Sequence, residues 1–441
     1  MPSGDGPLPG IEPMPPVADL AMAWDAPSAD PVADLAGARA THGDTFVVDS
    51  GGTRTLFLFS PVGVQSFYAL PESSASKGIA DWQLLRRKLP DELFAGRRTF
   101  PHDLFGRDDV RRYLDTLDRA IAVSFDELGD TGELEAFAFT RRLGHRLGLA
   151  CWAGVTPSTD ARFDELIAAL DDLDASEAFV HPGEMTAVAR EDKRREREAM
   201  ATAERLLADT VRSHDRGELV TDSLFATIVE RWSDVDEPDR TTGIARDVVL
   251  VHLGSMSNLF AALAWTIVDA VSDPATLQRL IGHEEGLAER CALESTRLAQ
   301  RSIMLRAVTR PITVDDGERT YAVAPGASVA TLLPLLNTSA APGLADYDPD
   351  RWQRRRLRAE AELPARELVT AFGHGSHTCP AQPFSLAAMS RTLTQLVDTF
   401  AMEAPTVPPQ PLAEQIGGVA RGAGPCVLSY RRRAAEASRP T

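Results

Sequence analysis

The chain has 441 residues and a formal charge of −18, with 44% hydrophobic and 25% charged residues, the composition of a globular protein with a sizeable core. The acidic balance excludes a general nucleic-acid binder, which needs a basic footprint. No run of roughly 20 uninterrupted apolar residues predicts a membrane anchor, and Met1 to Pro16 lacks the basic start of a secretory leader. Cys151, Cys291, Cys379 and Cys426 are too dispersed for a disulfide framework or a CxxC metal pattern. A reducing, cytoplasmic setting is expected.

Residues 1–20 read as a Pro/Gly-rich arm, and 21–441 as a single domain without internal repeats. Thr45–Asp49 and Thr53–Phe59 flank a Ser-Gly-Gly connection and predict a hairpin. Val110–Leu128 has apolar positions at helical spacing, and Glu191–Arg212 is a charged helix with an Ala/Leu stripe. Thr241–Val271 predicts a helix far longer than average. Its small residues Gly254, Ser255, Ser257, Ala261 and Ala262 would let something bulky approach the backbone. From Ile312 to Val329 the pattern alternates as strands do, with turns at Asp316-Gly317 and Pro325-Gly326. Arg351–Arg358 is a basic knot, Pro383–Phe400 a last helix and Pro425–Tyr430 a terminal strand. The expected fold class is mainly α, with a small β portion fed by both ends of the chain.

The segment Ala371–Leu386, AFGHGSHTCPAQPFSL, carries the most chemistry. Cys379 follows a Gly-rich turn and precedes a helix, where backbone N–H groups and the helix N-terminus stabilise a thiolate. Such a sulfur suits three roles: a structural thiol, a nucleophile, or the axial ligand of a haem iron.

Phe372, Gly375 and Cys379 reproduce the Phe-x-x-Gly-x-x-x-Cys-x-Gly pattern of the cytochrome P-450 (haem-thiolate) superfamily, with Ala381 at the final glycine. The chain resembles that superfamily in further motifs. Glu294-Ser-Thr-Arg297 matches its Glu-x-x-Arg pair, on one helix face, and Tyr347-Asp-Pro-Asp-Arg351-Trp352 matches the meander whose arginine joins that pair. The resemblance implies the cytochrome P-450 fold, haem b as cofactor and Cys379 as the iron ligand. It also implies that His377, Arg306 and the Trp82/Arg86 pair reach the haem propionates, with His102 a competing candidate; His374 matches no position of the pattern and is expected at the surface.

Leu250–Pro274 resembles the long helix that crosses the distal haem face. Relatives carry an acid and a threonine seven residues before an aromatic such as Trp265; here Ser257 and Asn258 stand there, and Gly254 opens the helix one turn earlier. A serine and an amide relay protons poorly beside a carboxylate. Asn258 offers two donors and one acceptor, suited to an oxygen-bearing substrate or a water, or to bonding backbone within the helix. An asparagine there resembles the subgroup of bile-acid hydroxylases, prostacyclin synthase and allene oxide synthase.

Three readings follow. In the first, the chain is a bacterial monooxygenase of secondary metabolism acting on a hydrophobic natural-product intermediate. A ferredoxin or flavodoxin would then dock on basic residues such as Arg86, Arg87, Lys88 and Arg354–Arg356. In the second, it cleaves an O–O or N–O bond already in its substrate, as an isomerase, dehydratase or nitrene transferase. The third is a haem protein without catalysis. The pocket is expected to draw on Leu253, Met256, Leu259, Phe260 and residues Ile303 to Leu305.

Overall fold

A computed structural model describes residues 10–99, 101–106, 109–156, 161–174, 182–219 and 223–434. Its centre is the predicted long helix, Asp239–Ser272, around which the helices Ala136–Trp152, Arg194–Asp215, Leu287–Leu298 and Gln382–Thr399 pack. By length and composition the long helix could cross a membrane, but most of its apolar stretch is buried inside the protein. Helix Ala136–Trp152 approaches it closely because of two glycines. A Cβ at Gly144 would lie 2.3 Å from the Phe260 ring, and one at Gly148 would lie 2.8 Å from the Met256 sulfur. Phe260 and Met256 therefore pack against that helix, and Phe260 also borders a separate cavity with Phe137, Arg141 and Arg421.

The helix Val110–Leu128 has the bounds its periodicity predicts. The charged helix starts later than its pattern, at Arg194, because Asp192 and Lys193 adopt left-handed backbone angles (φ 50° and 54°) that break the turn.

The main sheet has six strands in the order Val17–Ala18, Thr45–Ser50, Thr53–Leu58, Ser328–Leu332, Ile303–Val308 and Ala75–Ser76. The predicted hairpin is its second and third strands. Gly51 and Gly52, at φ 58° and 78°, supply the two left-handed positions such a tight turn demands. Part of the N-terminal arm joins the sheets. Ile11–Glu12 pairs with Thr320–Val323, Val17–Ala18 pairs with Thr45–Ser50, and Ile11 is buried against Val323. Pairings two residues long leave no periodicity to read. The first nine residues of the arm lie outside the described residues.

A third sheet joins Thr131–Glu135, Val427–Arg432 and Phe400–Glu403, with Val427–Arg432 in the middle.

Candidate active site

Between residues 370 and 382 the chain folds back on itself. Cys379 N–H donates to Phe372 O (2.7 Å), and Gly375–His377 forms a single 3-10 turn between them. The glycine this turn cannot replace is Gly373, at φ +83°, where a Cβ would fall 2.4 Å from His377 O; a Cβ at Gly375 would meet only open space. Helix Gln382–Thr399 starts immediately after. Burial pushes the Cys379 thiol up, and the nearby N–H groups of Ala381 and Gln382, with the Lys77 charge, partly offset it.

Behind the turn lies a buried clamp. Glu294 and Arg297 are both fully buried on helix Leu287–Leu298, with Oε2 accepting from Arg297 Nε at 2.9 Å and Oε1 from Nη2 at 2.7 Å. Glu294 also accepts from Trp352 Nε1 (2.8 Å), Asp348 N–H (3.1 Å) and Arg351 Nε (3.3 Å), which secures the meander. Asn337, a residue no sequence motif singled out, links this clamp to the cysteine turn. Its Nδ2 donates to Arg297 O and Thr370 O, and its Oδ1 accepts from Thr370 N–H.

Above the turn is a cavity of about 630 Å³. Cys379, Phe372 and His377 line one side; Gly254, Asn258, Leu259 and Ala262 of the long helix line another. Gly254 and Asn258 lie four residues apart and share a helix face, whereas Ser257, one residue from Asn258, points elsewhere. Its hydroxyl donates to Asp174 Oδ1 at 2.6 Å. Asn258 Oδ1 accepts from Val419 N–H at 2.9 Å, from a loop stapled by Gln415, whose Nε2 donates to Gly417 O and Val419 O. The Asn258 amide is thereby oriented by its oxygen, and its Nδ2 is left as a donor.

A second chamber of about 400 Å³ adjoins the first across Gly254, Asn258 and Val419. Leu84, Leu85, Leu89, Leu173, Leu253 and Ile416 make it aliphatic, while Ser257, Asp174 and Arg421 form a polar wall. Asp174 Oδ2 lies 3.3 Å from Arg421 Nη2.

Other sequence candidates do not line the cavity, although Arg306 lies 3.5 Å from the lining residue Glu72 and its charge acts on His377. Arg306 is fully buried, and its guanidinium donates to the carbonyls of Phe67, Leu70 and Ala75 at 2.7–2.8 Å. Trp82 is 39% exposed and carries Arg86 stacked 4.5 Å over its ring. The His102 side chain is largely exposed. None of these four is among the described residues lining the cavity. Of the expected apolar lining, Leu259 and Met304 reach it. His374 is not a free surface residue: its Nε2 lies 3.1 Å from Val369 O and its ring packs edge-on to Tyr68. Lys88 is also no docking residue; it is buried, with Nζ donating to Asp172 O and Leu173 O and paired with Glu196 at 3.2 Å.

The residues present fit a haem. The cavity runs between the Cys379 sulfur, at the start of helix Gln382–Thr399, and a helix face opened at Gly254, where an added Cβ would meet nothing within 4 Å. His377 Nε2 is buried there without a hydrogen-bond partner, as a residue awaiting an acceptor would be.

No family model matches the chain. A 24-hydroxycholesterol 7-alpha-hydroxylase of Mus musculus is 24% identical over 147 residues, which cover 33% of this chain and 30% of the relative. The chain thus matches less than a third of that relative's length. The match supports the superfamily resemblance and does not reach its subgroups.

Proposed function

We propose that the chain is a haem-thiolate oxidoreductase, a monooxygenase of the cytochrome P-450 type acting on a hydrophobic small molecule. The observation that carries this reading is one cavity lined both by Cys379, on its N–H-rich turn, and by Gly254 and Asn258 of the long helix. Haem b bound there supplies the redox chemistry, either dioxygen activation with external electrons or cleavage of a weak O–O or N–O bond. Cys379 would hold the iron, His377 would bind at the haem edge, and the Glu294–Arg297–Arg351 clamp would keep the cysteine turn in place. A ferredoxin or flavodoxin would bring the electrons for a monooxygenase, with Arg86 and Arg354–Arg356 the basic residues open to it.

The chain's own residues shape the rest. The leucine-lined chamber excludes water from an apolar substrate body, and Asn258 Nδ2 donates to a substrate oxygen held over the open turn at Gly254. A bacterial natural-product intermediate with an oxygen substituent fits this lining. The relative is named for a substrate of similar character, a hydroxylated sterol.

One observation favours a second reading, in which the substrate already carries the bond to be cleaved. Ser257, at the place of the family's acid, donates its hydroxyl hydrogen bond to Asp174 and does not line the Cys379 cavity. No carboxylate–alcohol pair on the long helix therefore aims a proton at that cavity.

Reduced chain under carbon monoxide should show the red-shifted thiolate band, and Cys379→Ser should lose it. The absence of that band in the unmutated chain would overturn the haem-thiolate reading. The ferric form should then be given organic hydroperoxides and O-acylated hydroxylamines without any electron donor. Rapid isomerised or aminated product identifies the second reading; bleaching without product identifies the monooxygenase.

A further inference from the structure

Any haem brings two carboxylates, and the cations that the sequence offers for them are engaged elsewhere. Arg306 is enclosed by the carbonyls of Phe67, Leu70 and Ala75, with Glu72 3.5 Å away. Arg86 lies over Trp82 at the surface and pairs with Asp91. Among the described residues that line the cavity, the lysine or arginine is Lys77, the first residue of helix Lys77–Leu85. Across the same cavity stand Ser376 and His377, with the buried and unpartnered His377 Nε2.

Lys77 is held in place from its own backbone. Glu72 accepts from Lys77 N–H at 3.2 Å, Gly78 N–H at 3.0 Å and the Ser76 hydroxyl at 2.5 Å, which fixes the start of the helix. The Lys77 ammonium pairs with Asp81 one turn on, also at the cavity. An ammonium has three donors, so this pair leaves two for another oxyanion. Lys77 and Asp81 side chains are 32% and 49% exposed, so the pair is a weak surface ion pair that a stronger ligand can reorganise.

We infer that Lys77 and His377 together form a carboxylate-binding site at the edge of the Cys379 cavity, which takes a haem propionate. The Arg306 guanidinium is taken up by backbone carbonyls and Glu72, and Arg86 lies at the surface. The inference rests on the haem reading above and assigns Lys77 a binding role that the motif positions do not.

Haem-loaded chain mixed with excess apomyoglobin measures this directly, through the rate of haem transfer at the Soret band. A charge-assisted hydrogen bond of ordinary strength makes Lys77→Met release haem about tenfold faster or more. Lys77→Arg should stay within about twofold of the unmutated chain, since it keeps the charge. Arg86→Met should not change the rate. Loading with haem dimethyl ester, whose propionates carry no charge, should erase the difference between Lys77→Met and the unmutated chain. If that difference persists with the ester, Lys77 acts through the fold and the assignment is overturned. It is equally overturned if Lys77→Met holds haem as long as the unmutated chain. A chain that takes up no haem at all refutes the reading in the previous section instead, so the two failures are distinct.

Discussion

Replacing Glu294 with alanine tests how much the buried clamp contributes. The carboxylate accepts from both Arg297 Nε and Nη2, from Arg351 Nε, from Trp352 Nε1 and from Asp348 N–H. After the substitution Arg297, still fully buried, keeps only the carbonyls of Asn337 and Leu344 as partners. Stranding a buried charge costs about 3–5 kcal/mol. The lost bonds belong to one network and do not add separately. Against a total stability of about 5–15 kcal/mol, that is a large share. Arg351→Ala removes a 3.3 Å contact from a side chain 15% exposed and should cost about 1 kcal/mol. Glu294→Gln keeps acceptor Oε1 but not the charge, and should fall between them. Urea unfolding followed by far-UV circular dichroism ranks the three variants. A Glu294→Ala chain within about 1 kcal/mol of the unmutated one, or an equal loss in Arg351→Ala, would refute the clamp as the source of this stability.

Gly373→Ala places a Cβ 2.4 Å from His377 O at φ +83°; it should cost about 1–3 kcal/mol and speed haem loss, whereas Gly375→Ala, with open space around it, should show only the smaller strain of its φ +58°. Asn258→Ala frees Val419 N–H, so limited proteolysis should cut the 415–421 segment sooner while haem uptake is retained and turnover is lost; unchanged turnover would make the asparagine a packing residue. Burial holds His145 and His252 below the usual histidine range, and the two rings meet at 2.9 Å with Asp171 2.7 Å beyond. In the unfolded chain both take up protons as pH falls below about 6.5, so the unfolded state binds more protons and stability falls with it. Melting temperatures between pH 7.5 and 5.5 should drop, and a His145→Gln/His252→Gln chain should drop less steeply.

Which parts of this site the sequence reveals depends on whether the function lies in local spacing. The cysteine turn, the Glu294/Arg297 pair and the meander are legible because each is a short run whose internal geometry is set by its own backbone. Gly254 and Asn258 are legible for the same reason, four residues apart on one helix. Arg306 has the motif's spacing, while the carbonyls some 230 residues upstream that its guanidinium meets are announced by no local pattern. Lys77, Asn337 and Asp174 act through partners far along the chain and stand in no motif. Lys88 reads as a surface cation because of the arginines before it, but the helix carrying Glu196 covers it. For the fold, the long regular elements follow from periodicity, while the two-residue strands of the arm are created entirely by their neighbours.

The sheet formed by Thr131–Glu135, Val427–Arg432 and Phe400–Glu403 places its latest strand in the middle. Its flanking strands touch each other only through that strand, so during synthesis neither has a partner until residue 432 has emerged. Contacts of such long sequence separation form slowly. The loop of Gln415 and Val419 lies just before that strand and makes the wall opposite Asn258. The chamber beside Cys379 is therefore among the last parts of the molecule to take shape, and a cofactor arriving earlier would meet an open cleft.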